Sequence, residues 1–331
     1  MSELQLRRGD LVEVKGPAEI LATLDERGAL DGLPFMPEMA AYCAHRFAVE
    51  RRAERICDTI HYSGSRRLPE AVLLDDLRCD GSGHDGCQAE CRLFWKEAWL
   101  RRIETGAPPP RASSAADLAA LLERTSRNAR RRAVEVSGRP EPRYVCQATD
   151  LPKCTEHLRT WDASSYVREY TCGNVSLADF FRVSSRAAVG EPLRKLGVIP
   201  EVHLPGTAAK GQQFEVLDLR PGELVRVKSK DEIARTLNAE GKNKGLWFDR
   251  EMLPFCGGTY RVRQRVSRFV HDHDGKMIVL KNDAITLEGV VCSGERSLQR
   301  WFCSRAIYPY WRECWLERVE SRREPQPLAA S

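Results

Sequence analysis

Thiols are the side chains in this sequence best able to do chemistry, and they are clustered. The chain has 331 residues and 12 cysteines. Cys43, Cys57, Cys79, Cys87 and Cys91 fall early, the last three around His84 in RCDGSGHDGCQAEC. Cys256, Cys292 and Cys303 fall late, with His271 and His273 nearby. Zinc takes four tetrahedral sulfur and nitrogen ligands, and iron–sulfur clusters are held by cysteine thiolates, so either an iron–sulfur cluster or zinc suits this inventory. Ligand softness argues against magnesium and calcium. The spacing Cys79-x7-Cys87-x3-Cys91 is neither a common zinc-ribbon nor a ferredoxin pattern. The alternative is that these thiols are small buried apolar side chains.

The elements that must position these residues occur twice. At a constant offset of 213, Gly9, Val12, Val14, Lys15, Glu19, Ile20, Thr23, Leu24, Gly28, Gly32, Leu33, Phe35, Glu38, Met39 and Cys43 meet identical residues, and Cys79 meets Cys292. After a three-residue insertion, Cys87 meets Cys303, and Trp95, Glu97, Trp99 and Leu100 meet Trp311, Glu313, Trp315 and Leu316. Residues 9–103 and 222–319 therefore read as two copies of one module, as a search for internal repeats is meant to reveal. Three cysteines are kept in register: Cys43, Cys79 and Cys87 with Cys256, Cys292 and Cys303. Cys57 or Cys91 would complete four ligands in the first copy. In the second, the candidates are His271, His273 or a cysteine from outside the module, such as Cys146, Cys154 or Cys172.

DLVEVK and ELVRVK alternate with period two after a glycine, as half-buried strands do. AEILATLDERG and DEIARTLNAEG space apolar residues as a short helix ending at glycine. RFAVERRAERI, AVLLDDL and their counterparts supply further strands. The expected fold is mainly β with an α insert: two tandem small SH3-like barrels flanking a helical middle region. The domains expected are a Cys-rich module at 1–106, a helical insert with the linker GAPPPRASS at 107–205, a second module at 206–320 and a tail at 321–331. SAADLAALLERTSRNARRRAVEV and SLADFFRVSSRAAVGEPLRKLGV are the predicted helices of the insert.

The Trp pairs are expected to be core, with Glu97 and Glu313 facing solvent. Glu38 and Glu251, duplicated beside the first cysteine, are expected in a salt bridge or helix cap. His84 reads as a ligand or an acid–base group, or equally as a surface loop histidine. The loops DGLPFMPEM and KGLWFDREM have the length of binding lids, or pack across the barrel mouth. Cys314 stands where the first copy has Ala98, as a packing residue would.

The segments GLPFMPEM with a following cysteine, RCDG…GCQAEC…FWKEAWL and REMLPFCGGTYRVR…EGVVC…YPYWRE resemble those of a family of bacterial proteins of uncharacterised activity. That resemblance covers most of both modules and implies duplicated Cys-containing SH3-like units. It implies no activity.

Composition narrows the function classes. With 42% apolar and 30% charged residues the chain is an ordinary globular protein, and no run approaches a membrane span. The N-terminal MSELQLRRGDLVEV lacks the apolar stretch of a secretory signal, so a cytoplasmic setting is expected, where clustered thiols point to metal or catalysis before disulfides. A charge of +5 is too small to mark a nucleic-acid binder, and the Arg-rich stretch Arg124 to Arg132 reads as a solvated helix face. No Walker loop, dinucleotide fingerprint, nucleophile elbow or HExxH motif occurs. The expected function is metal binding, as a redox or tailoring enzyme of a biosynthetic pathway acting on a small molecule, or as a zinc-stabilised scaffold for a partner protein, with nucleic-acid binding by the small barrels and the Arg-rich helix as the third and least favoured class.

Overall fold

A computed structural model of the chain describes residues 4–104, 114–136, 139–198, 204–209, 211–296 and 299–319. Most of the linker GAPPPRASS and the tail 321–331 lie outside these residues. The fold is β-rich, and its strands gather mainly into one five-stranded and one four-stranded sheet. Two compact units are present: Met1–Glu201 with Arg268–Val279 and Ser293–Ile307, and Val202–Ser267 with Leu280–Cys292 and Tyr308–Ser331.

In the first unit the strand Leu11–Val14 sits between Arg46–Arg52 and Leu100–Arg102, and Ala71–Arg78 and Arg92–Lys96 extend the sheet. The alternation read in LVEV turns Val12 and Val14 fully inward and leaves Leu11 exposed. In the second unit Leu224–Val227 lies between the strands that begin at Thr259 and Leu316.

Residues related by the two offsets hold corresponding places. Val12 pairs with Phe47 and Arg102, and Val225 pairs with Tyr260 and Arg318. All four repeated tryptophans are fully buried. Phe35 meets Trp95 and Trp99 edge-on at 6.1 and 5.1 Å, and Phe248 meets Trp311 and Trp315 at 6.1 and 5.3 Å. Such edge-to-face contacts add to the area each ring buries. The Trp99 indole donates to the Thr23 hydroxyl at 3.0 Å and that of Trp315 to Thr236 at 2.9 Å. The lid-like loops pack: Phe35, Met36 and Met39 are buried, and Pro37–Tyr42 is a 3₁₀ turn.

Two expectations change. Glu97 and Glu313 do not face solvent; both are buried. Glu97 accepts from the amides of Gln5 and Leu6 and from Arg52, and Glu313 accepts from the amides of Leu217, Asp218 and Leu219 and from Arg265. Each carboxylate ties down the chain entering its first strand, which neither periodicity nor spacing records.

The sequence leaves open whether the insert docks or stands alone, and here it packs into the first unit. Leu121 of the helix Ala115–Ala129, together with Leu151 and Cys154, joins the core of the first unit. That helix is also shorter than expected. At Arg130 the chain becomes a strand, Arg130–Val136, paired with Arg139–Tyr144. Val134 and Val136 are β-branched and alternate, and a hairpin partner follows at once, so strand pairing prevails over helix continuation. The predicted helix around Leu177–Lys195 forms. No helix among the described residues is long and apolar enough to cross a membrane.

Candidate metal centre

One loop of the first unit gathers most of the reactive side chains. The strand Ala71–Arg78 delivers Cys79, whose amide donates to the Cys91 carbonyl at 2.8 Å and so closes the loop between them. Within it the amides of His84 and Gly86 both donate to the Gly81 carbonyl, at 3.0 and 3.1 Å, which winds a tight turn. Gly81 has φ +75°, and a β-carbon there would fall 1.9 Å from the Cys87 carbonyl oxygen. Only glycine fits that backbone.

The turn presents His84 inward, 1% exposed. Its Nε2 lies 2.8 Å from the Val145 carbonyl oxygen. A carbonyl can only accept, so Nε2 carries the hydrogen and neutral His84 keeps a lone pair on Nδ1. Nδ1 has no hydrogen-bond partner, and 3.8 Å away stands Glu38 Oε1. Glu38 is itself buried, on the 3₁₀ turn Pro37–Tyr42, and accepts from the Cys79 thiol at 2.8 Å while its Oε2 has no partner. Ligand atoms of Glu38, Cys79 and His84 all lie within 4.8 Å of one another.

A lone pair facing a buried carboxylate is unfavourable unless a positive charge lies between them. Either a metal ion or a protonated His84 supplies that charge, the latter as an ion pair too long for a hydrogen bond. Zinc–nitrogen and zinc–oxygen bonds at tetrahedral angles space their atoms by roughly 3.4 Å, close to what is found. The Val145 contact is the outer bond that metal-binding histidines make through their second nitrogen. Nitrogen, thiol and carboxylate together form a donor set suited to zinc.

Cys79 and His84 also line a small cavity with Cys87, Cys91, Cys146, Glu90 and Arg305, among others. Its volume is about 40 Å³, enough for an ion with one or two waters and far below a drug-sized ligand site. Cys146 arrives from the insert, directly after the Val145 that orients His84. Burial pushes the thiols of Cys79, Cys87 and Cys91 up, and that of Cys146 up to about 12. Neighbouring charge adds to the rise, from Glu38 at Cys79 and from Cys91 at Cys146. Thiolates here need a cation to form.

The remaining sequence candidates lie elsewhere. Cys43 is buried in the apolar core, where burial lifts its thiol to about 11. Cys256 is its counterpart at the end of the turn Arg250–Phe255 in the second unit, half-buried against the core there. Cys292 is half-buried in that unit. Cys57 and Cys303 meet each other: the Cys57 amide donates to Cys303 Sγ at 3.1 Å, and neither lines the cavity. Thus Cys303, which the offset matches to Cys87, sits beside Cys57 in the first unit. His271 pairs with Asp274 at 2.9 Å in a partly exposed turn, and His273 lies exposed beside it. Cys154 donates to the carbonyls of its own helical turn, and Cys172 to Glu169.

Two residues carry more than their sequence context suggested. Glu38 was visible as a duplicated carboxylate beside the first cysteine, yet only the fold sets it against Cys79 and His84. Arg305 gave no signal at all, having no chemical motif around it. No protein-family model, curated protein or solved structure matches this chain.

Proposed function

We propose that the protein binds a transition-metal ion, of which zinc fits best, in its first unit through Glu38, Cys79 and His84. The fourth position faces the cavity ringed by Cys87, Cys91 and Cys146. The observation that carries this reading is the buried, unpartnered His84 Nδ1 aimed at the Glu38 carboxylate. When bound, such an ion acts as a Lewis acid and lowers the pKa of coordinated water. The chain's own contribution is orientation: Val145 fixes the His84 tautomer, Gly81 allows the turn, and Arg305 adds positive charge on the cavity wall. An open fourth position with this polarity favours a metal-dependent enzyme over a closed structural staple.

A second reading rests on the four thiols of Cys79, Cys87, Cys91 and Cys146 around one cavity, a cysteine-only set of the kind that holds iron–sulfur clusters. We further read the chain as two copies of an SH3-like module, supported by the matching strand registers and tryptophan contacts, and we place it in the cytoplasm. Only the first copy has His84, so one centre per chain is expected.

The test is metal analysis with an absorption spectrum on full-length protein purified without oxygen. About one zinc per chain, lost in H84A and E38A, supports the mononuclear site. Iron with sulfide and a brown chromophore, lost in C146A, turns the assignment to the cluster. Protein purified in this way that holds neither metal overturns both readings.

A further inference from the structure

The Cys57–Cys303 pair lies outside the proposed metal centre and has a different character. The two residues are 246 apart in the chain, both are 4% exposed, the Cys57 amide donates to Cys303 Sγ at 3.1 Å, and the Cys303 thiol donates to the Cys57 sulfur. The buried Arg305 is directed at Cys57. Its Nη1 donates to the Cys57 carbonyl at 3.1 Å and the Thr59 hydroxyl at 2.8 Å, and lies 4.0 Å from Cys57 Sγ. Among the described residues neither sulfur belongs to a group of three or more ligand atoms lying within 4.8 Å of one another. Two neighbouring thiols outside any such group suit a disulfide.

We infer that Cys57 and Cys303 are a hydroperoxide-sensitive dithiol, in which Cys57 is the attacking sulfur and Cys303 resolves it to a disulfide. The Cys303 hydrogen bond outweighs burial, and with the Arg305 and Arg300 charges it holds the Cys57 thiol down at about 6, whereas the cavity thiols are raised. Cys57 therefore supplies thiolate at neutral pH, and thiolate is the reactive form. Peroxide is little larger than water. Thr59 and Asp272, hydrogen-bonded to each other, are the nearest half-buried polar side chains beside Arg305.

The chemistry balances without further reactants. Cys57 thiolate attacks one peroxide oxygen, the O–O bond breaks, and the departing hydroxide takes a proton to become water. The Cys303 sulfur then attacks the Cys57 sulfenic acid, an S–S bond forms, and the lost hydroxide leaves as a second water with the Cys303 proton. Two thiols are oxidised by two electrons in all, and one peroxide is reduced.

Hydrogen peroxide, added in stoichiometric amount to the full chain at pH 7, provides the test by peptide mapping without reduction. The expected product is a Cys57–Cys303 cross-linked peptide before any other cysteine is oxidised. C303S is expected to stop at a sulfenic acid on Cys57 that a 1,3-dicarbonyl reagent traps. Thiolate absorbance near 240 nm in the unsubstituted protein is expected to show one group titrating near 6, a readout that needs no variant to fold. Metal content is expected to be unchanged in C57S, so this proposal and the metal reading fail separately. Oxidation of Cys79, Cys87, Cys91 or Cys146 ahead of Cys57, or loss of bound metal in C57S, overturns it.

Discussion

His84 Nδ1 and Glu38 Oε1 stand 3.8 Å apart in the interior with no hydrogen bond between them. Both groups are held in place from behind, His84 by the Val145 carbonyl and Glu38 by the turn Pro37–Tyr42, so neither can swing to water. The gap is where the proposed metal ion would sit.

Metal affinity at this centre is expected to rise with pH. Burial first, and then Glu38, lift the Cys79 thiol, so it is protonated through neutral pH, and a metal must displace that proton to bind. Each displaced proton makes the apparent association constant climb about tenfold per pH unit. Titration with zinc in competition with a chromophoric chelator between pH 6 and 8 measures the slope; a flat profile removes Cys79 from the ligand set.

Gly83 gives a test of the site that leaves every ligand in place. A β-carbon at Gly83 would lie 2.8 Å from Glu38 Oε2 and 3.2 Å from Pro37. G83A is expected to push the Glu38 carboxylate out of position and weaken metal binding at least tenfold, the lower end of what loss of ligand support costs. Circular dichroism should report an unchanged fold, and zinc retained at full affinity would count against Glu38 as a ligand.

Glu169 sets a pH dependence of stability. It is fully buried, and burial, against the opposing Asn174 hydrogen bond, pushes its carboxyl up to about 8. The folded value thus exceeds the unfolded one near 4.5, so the folded state holds its proton where the unfolded state has lost it. Stability therefore falls as pH rises from about 4.5 to about 8 on this account. E169Q keeps an acceptor for Asn174 without the ionisation. Melting curves should show the variant gaining on the native chain from pH 5 to pH 8, and parallel curves would refute the assignment.

The Glu313 carboxylate works in the opposite sense. Burial disfavours its charge, but the Leu219 amide, Arg265 and the Leu217 amide outweigh that and hold it below the usual carboxylate range. Its contribution is present above the unfolded value and is lost as pH falls through the folded one. E313A removes the acceptor of three backbone amides and one of several partners of Arg265, and a loss of about 1–3 kcal/mol is expected by denaturant titration. E97A should behave alike in the first unit, where Arg52 and the amides of Gln5 and Leu6 lose theirs.

Trp99 and Trp315 fill equivalent places, so truncation should cost both units similarly. W99A and W315A each remove a fully buried ring and its bond to Thr23 or Thr236, for an expected loss of about 3–5 kcal/mol. Calorimetry that finds either variant as stable as the native chain would show that the ring's place can be refilled.

The sequence by itself determined what is local or repeated. Period-two alternation placed Val12 and Val14 inside, and the two offsets aligned Trp95 with Trp311 and Glu38 with Glu251. Tertiary structure decided which of those residues meet. Glu38 reaches Cys79 across 41 residues and His84 reaches Val145 across 61, while Cys303, in register with Cys87, joins Cys57 across 246. Periodicity reports which face of an element is apolar. It carries no information on which loop closes over which, because that follows from packing the whole core at once. The same holds for Glu97 and Glu313: a carboxylate between two tryptophans looks solvent-facing until the entering chain is folded back to donate its amides.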